Sequence, residues 1–339
     1  MPERFVITAP FCGHVENESA PEPAEGEVLC RPLRVGLCGT DRLVFAGEMP
    51  AAAFPRIPGH EVVGVVLKDY SSRNLAPGTC LVVDPYKNCG SCHACRNNRP
   101  NCCRSNKTLG VQRDGILREE FVVEANRVYP LPPDDDVRRF VLAEPLTLAL
   151  HILQRAGEVK NRWCLVAGIG NVGSLVVRAL KENGAKILAW SLSDISLATA
   201  RKLGADLCVK ATDANAVDQV MEATGGDGPS ISVECAGKSA AVETCVKLTA
   251  FAGRVVLVGH SREVAGIKGS DIVFKELDIL GSRNSMGCFE KAIAWLSKDK
   301  DKWNSIISHR FVWPDAITAF QLTKGPKTEY SKIVIDFPD

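Results

Sequence analysis

The stretch WCLVAGIGNVGSLVVRALKENG, residues 163–184, leaves few folds open to this chain. An apolar run of strand length ends in a turn carrying Gly168, Gly170 and Gly173. A helical pattern follows at once, with Val172, Leu175, Val176, Ala179 and Leu180 spaced i, i+3, i+4, i+7, i+8 and Gly184 as its stop. KILAW, ISLATARKLGAD, ISVECAG and GRVVLVG continue the alternation of strand and helix. Such alternation predicts a parallel sheet covered by helices. Glycines in a turn between strand and helix allow a pyrophosphate to approach the backbone, where the helix N-terminus meets its charge. The turn Gly168–Gly173, with Asn171 and Val172 inside it, is therefore a candidate dinucleotide site. An acidic residue about twenty positions on, which would bond a ribose diol, is missing. KILAW ends at Ser191, followed by Leu192 and Ser193, and Asp194 would need a strand three residues longer.

The remainder has a different texture. At 339 residues the chain is long for one core, and two domains are expected. Its first third is rich in Val, Gly and Pro, with short strand candidates at Glu27–Cys30, Glu61–Leu67 and Cys80–Val83 separated by turn signals. The last fifty or so residues mix a helix in FEKAIAWLSK, with Phe289, Ala292, Ile293 and Leu296 on one face, and a closing strand in KIVIDF. A net charge of +1 gives no electrostatic reason to expect nucleic acid or an acidic membrane as partner. The opening MPERFVITAPFCGH has no apolar signal core, and no run approaches the length of a membrane span. Fourteen cysteines in that setting predict reduced thiols and metal ligands in a cytoplasmic protein.

Five of those cysteines fall in KNCGSCHACRNNRPNCC. Cys89, Cys92, Cys95 and Cys103 give C-x2-C-x2-C-x7-C, a spacing that lets four thiolates surround one zinc ion. Four thiolates leave no position for a substrate, so this site stabilises structure. Cys102 and His93 are rival ligands at this stage. A looser group comes from GLCGTD (Cys38, Thr40, Asp41), PGHEVVG (His60, Glu61) and AEPLTLALH (Glu144). One thiolate, one imidazole and one or two carboxylates make an open zinc site with room for water or an alcohol oxygen. Each residue alone also has an ordinary core or turn role.

With GLCGTD, GHEVVG, the four-cysteine lobe, EPL, GIGNVG, VECAG and LGSRN in order, the chain resembles the zinc-dependent medium-chain dehydrogenases along essentially its whole length. EPL and GSRN are closer to the polyol, threonine and sugar-acid branch than to simple alcohol dehydrogenases. The resemblance implies an α/β protein: a GroES-like β-rich catalytic domain over 1–145, a Rossmann doubly wound parallel-sheet domain over 146–285, and a segment 286–339 returning to the catalytic domain. It implies two zinc ions per chain. Cys38 and His60 would hold the catalytic one, with Glu61 or Glu144 completing the protein ligands, since the two positions exchange at the metal in this superfamily. Asp41 would orient His60. Thr40 would bond the substrate oxygen and begin a proton relay. Cys235, Ala236, Val258, Gly259, Ser282 and Arg283 would join the glycine turn and Ser191 in binding NAD(P). The implied reaction passes a hydride between a secondary alcohol (polyol, sugar acid, cyclitol or hydroxy-amino acid) and the nicotinamide, in a homo-oligomer.

Two positions depart from that pattern. Many relatives end the proton relay on a histidine five residues beyond the cysteine ligand, where this chain has Leu43. Ser191 stands where NAD-specific relatives carry Asp, which admits NADP and tilts the expectation slightly towards it, although no arginine adjoins Ser191 in sequence. Arg42, Arg56 and Arg113 border the motifs and are candidates to bind a substrate carboxylate, or are ordinary surface residues. The competing reading is a zinc-binding structural or interaction protein built on this fold, without turnover.

Overall fold

In chain order, the computed structural model, which describes residues 1–71, 73–260, 263–298, 300–325 and 330–338, contains β1 (Glu3–Ala9), β2 (Cys12–Asn17), β3 (Glu27–Leu37), β4 (Glu61–Asp69), β5 (Cys80–Val83), β6 (Tyr86–Lys87), β7 (Lys107–Thr108), β8 (Phe121–Glu124) and β9 (Val128–Pro130). Then come β10 (Trp163–Ala167), β11 (Lys186–Ser191), β12 (Leu207–Lys210), β13 (Ile231–Glu234), β14 (Arg254–Leu257) and β15 (Asp278–Gly281). The chain closes with β16 (Ile307–Val312) and β17 (Lys332–Asp336). These residues fall into two compact units. One holds Met1–Glu144 with most of the chain after Met286; the other holds Pro145–Ser285.

In the first unit, the sheet runs β16-β17-β3-β4-β5-β9, with β8 also paired to β3. The sequence patterns predict only the Glu27–Cys30 part of β3. The strand instead continues to Leu37. On one side β8 pairs with Glu27–Cys30 and β17 with Arg34–Leu37, so Pro32 falls between the two partners. On the other side the ladder with β4 shifts register between Pro32 and Arg34. A proline without an N–H is tolerated at such a gap. The predicted closing strand, β17, lies between β16 and β3, with Ile333 beside Leu37.

The second unit is an all-parallel sheet in the order β12-β11-β10-β13-β14-β15. Chain order reverses between β10 and β13, the switch point where doubly wound sheets bind ligands. Leu165, Leu188, Val209, Val220 and Val255 form part of its buried core. The helix predicted after the glycine turn covers Asn171–Glu182, and Gly184 follows at φ +77°. A left-handed residue there ends the helix without a Cβ clash. Among the described residues, no helix is long and apolar enough to cross a membrane.

Candidate active site

β3 ends at Leu37, and Cys38 becomes the N-cap of the short helix Gly39–Phe45. Asp41, three residues on, accepts the Cys38 N–H at 2.9 Å through Oδ2. Its Oδ1 accepts the Gly59 N–H at 3.0 Å and lies 3.5 Å from His60 Nδ1. One fully buried carboxylate thus ties the segments carrying Cys38 and His60 together. Burial alone would raise its pKa, but the charge and hydrogen bond of His60 and the two N–H donors outweigh burial and hold it below the ordinary range. Glu61 begins β4 opposite Gly36 of β3. Ligand atoms of Cys38, His60 and Glu61 lie within 4.8 Å of one another. Thr40 Oγ1 accepts from the Cys38 thiol at 3.8 Å.

Lys332 was not foreseen. It opens β17, one residue before the Ile333–Leu37 pair, and its side chain is fully buried against Glu61 Oε2, with Leu37 O 3.3 Å from Nζ. Burial pushes this lysine down to about 8, opposed by the charges of Cys38 and Asp41. A Cβ on Gly36 would stand 2.3 Å from Glu61 Oε2 and 2.8 Å from Lys332 Nζ, so the ion pair occupies the space a side chain would fill. The one signal in the sequence was a lysine directly before the apolar run Ile333–Ile335. Glu144 lies in the first turn of the helix Ala143–Ala156, buried, and its Oε1 accepts from the hydroxyl of Tyr86. Burial raises the Glu144 carboxyl, opposed by the charge of His60 and by the Tyr86 bond.

The other cysteine group is Cys89, Cys92, Cys95 and Cys103. Cys92 and Cys95 sulfurs are 3.6 Å apart, Cys89 and Cys103 sulfurs 3.5 Å. A tetrahedral ion with Zn–S bonds of about 2.3 Å requires S–S edges of about 3.7 Å, so the set fits zinc. Backbone N–H groups of Ser91 and Cys92 draw the Cys89 thiol down to about 6, which favours the ligating thiolate. Neither rival, Cys102 nor His93, belongs to this group. The His93 ring instead lies 3.4 Å from Asn97 Nδ2.

In the second unit, Gly168, Gly170, Asn171, Val172, Gly173, Ser191, Cys235, Ala236, Val258, Gly259, Ser282 and Arg283 all follow, or lie at, the carboxyl ends of β10, β11, β13, β14 and β15. A Cβ on Gly173 would meet Gly168 O at 1.9 Å, so the turn closes only around glycine. Glu234, fully buried at the end of β13, bonds Gly237 N through Oε1 at 2.6 Å and Gly259 N through Oε2 at 3.2 Å. It braces the Cys235–Ala236 and Val258–Gly259 turns, a role visible in sequence only as an acid closing an apolar strand. Ser191 Oγ accepts from Ser193 N at 3.2 Å, and Ser193 caps the helix Asp194–Lys202. Asp194 sits on that helix and pairs with Lys210 at 2.6 Å. Lys210 is also the β12 register partner of Ser191.

The arginines flagged for substrate binding already face carboxylates. Arg42 is 3.9 Å from Glu48, Arg56 is 2.9 Å from Asp114, and Arg113 is 3.0 Å from Glu124.

Residues 24–133 match the alcohol dehydrogenase GroES-like domain, and residues 171–298 match the zinc-binding dehydrogenase domain. The chain is 31% identical over 91% of its length to the L-threonine 3-dehydrogenase of Thermococcus kodakarensis, covering 90% of that protein. It belongs to the zinc-binding medium-chain dehydrogenases. Solved structures of similar chains include the rspB alcohol dehydrogenase of Escherichia coli CFT073 complexed with NADH (TM-score 0.91, 29% identity, 99% of both chains covered). A zinc-binding dehydrogenase of Sinorhizobium meliloti 1021 bound to NADP aligns with TM-score 0.91, 26% identity and 99% coverage of both chains. This medium-chain dehydrogenase thus pairs a GroES-like unit carrying a four-cysteine and a Cys/His/Glu metal group with a Rossmann-type unit.

Proposed function

We propose that this protein oxidises a secondary alcohol of the polyol, sugar-acid, cyclitol or hydroxy-amino acid class with NAD(P), in the cytoplasm and as a homo-oligomer. The observation that carries the reading is the convergence of Cys38 from one segment with His60 and Glu61 from another, donors of three chemical types, around a space that three protein ligands leave open. A zinc ion held there supplies Lewis acidity that lowers the pKa of an alcohol hydroxyl, and NAD(P) at the glycine turn supplies the hydride acceptor. The chain's own residues do the rest. Asp41 holds the Cys38 and His60 segments in place. Lys332, fully buried with Glu61, balances its charge. Thr40, beside the Cys38 thiol, is placed to receive the hydroxyl proton.

Cofactor choice leans to NADP. Ser191 brings no carboxylate of its own to repel a 2′-phosphate, and Lys210 on the neighbouring strand, which also pairs with Asp194, brings a cation beside it.

Screening polyols, sugar acids, L-threonine and cyclitols by nicotinamide absorbance tests the reading. Turnover of at least one class is expected, abolished by Cys38→Ser, with higher kcat/KM for NADP than for NAD. A marked preference for NAD would reverse the cofactor assignment. A protein that binds no nicotinamide cofactor and turns over no alcohol would instead be the structural zinc protein.

A further inference from the structure

Two buried carboxylates border the Cys38–His60 pair, and each has a partner of its own from elsewhere in the chain. Glu61 meets the ammonium of Lys332. Glu144 receives the hydroxyl of Tyr86 on Oε1. Tyr86 is 9% exposed and Glu144 3% exposed, so this second pair is shielded from solvent that would compete for it. The phenol is anchored through its backbone: Tyr86 N donates to Asp84 Oδ1 at 2.9 Å, Tyr86 O accepts from Arg127, and β6 pairs with β7 opposite Thr108. A side chain fixed in this way holds its hydrogen-bond acceptor in one place.

The location of that acceptor matters. The ligand atoms within 4.8 Å of one another are those of Cys38, His60 and Glu61, and Glu144 is outside that group. It is nevertheless a neighbour of that group, near enough for its charge to interact with those of His60 and Asp41. A thiolate, an imidazole and one carboxylate leave the fourth position of a tetrahedral ion open. A second carboxylate would fill it, closing the site to substrate and reducing the ion's power as a Lewis acid by adding negative charge.

We propose that Tyr86 is a positioning residue that tethers Glu144 beside the Cys38–His60–Glu61 group and so keeps the fourth metal position open. The inference rests on the hydride-transfer reading above, but it concerns the metal site before any turnover. Tyr86→Phe is the informative variant, because it removes one hydroxyl and leaves the ring to pack as before.

Azide binding to the cobalt(II)-substituted protein, followed by visible absorption, reads the open position directly, and the closed four-thiolate site contributes only a constant background. Wild-type protein should take up azide with a change in its spectrum. Tyr86→Phe should retain two metals per chain and its melting temperature, yet need at least ten-fold more azide, with kcat lowered by a similar factor. Adding Glu144→Gln to Tyr86→Phe should restore azide binding, since the amide competes poorly for the metal. A Tyr86→Phe protein that binds azide as the wild type does would overturn the tether, as would failure of the double variant to recover. The wild type binding azide but oxidising no alcohol would defeat the functional reading and leave the tether standing. A wild-type protein that takes up no cobalt outside the four-thiolate site would defeat both.

Discussion

Gly36 shows how much can depend on a missing side chain. Its Cα faces the Glu61–Lys332 ion pair, and a methyl group would overlap both partners. Its φ is not in the left-handed region, so the requirement is one of space. Gly36→Ala should lower unfolding free energy by about 1–3 kcal/mol, the usual cost of overpacking. It should also displace Glu61, so metal content should fall from two towards one per chain. Urea unfolding and elemental analysis together check this, and a variant with full metal content and unchanged stability would refute it. Cys38, Asp41 and His60 were legible because they sit in the short motifs GLCGTD and PGHEVVG, which resemble those of a known family. Lys332 was not, because its partner is separated from it by nearly the whole chain and a lysine in a strand is ordinarily a solvent-facing residue.

The cysteine lobe shows what spacing alone can settle at the scale of an element. CxxC steps place successive thiols on one tight turn, and the later Cys103 returns beneath them, fully buried. Excluding His93 and choosing between the adjacent Cys102 and Cys103 needed three dimensions. Cys103→Ser should lose one zinc per chain and lower the melting temperature, while the metal at Cys38 is retained. Loss of both metals would show that the lobe also supports the open site. β3 gives the opposite lesson. The local pattern ran only to Cys30, and the strand continues through Pro32 because the fold supplies β17 as a partner for Arg34–Leu37 beyond the β8 pairing. Propensity described the residue correctly, and tertiary pairing decided its consequence.

At the scale of the whole molecule, the two units differ in how the chain builds them. The nucleotide unit is essentially one continuous stretch, Pro145–Ser285, with its own core. The other borrows β16 and β17 from the end of the chain. Truncation after Gly325 should therefore remove β17 and Lys332, unfold the first unit and release the metal at Cys38. A Pro145–Ser285 fragment should still enhance NADPH fluorescence, and a fragment that binds none would show that the second unit does not stand alone. By itself the sequence determined the glycine turn, the four-thiolate lobe and the identity of the main metal-binding side chains, because each is written in short-range spacing or in motifs that resemble a known family. Only the tertiary structure decided how the charges are matched: Glu61 with Lys332, Glu144 with Tyr86, Arg56 with Asp114 and Arg113 with Glu124. A buried charge must find a partner wherever the fold brings one within reach, and that depends on distance through space, which spacing along the chain does not encode.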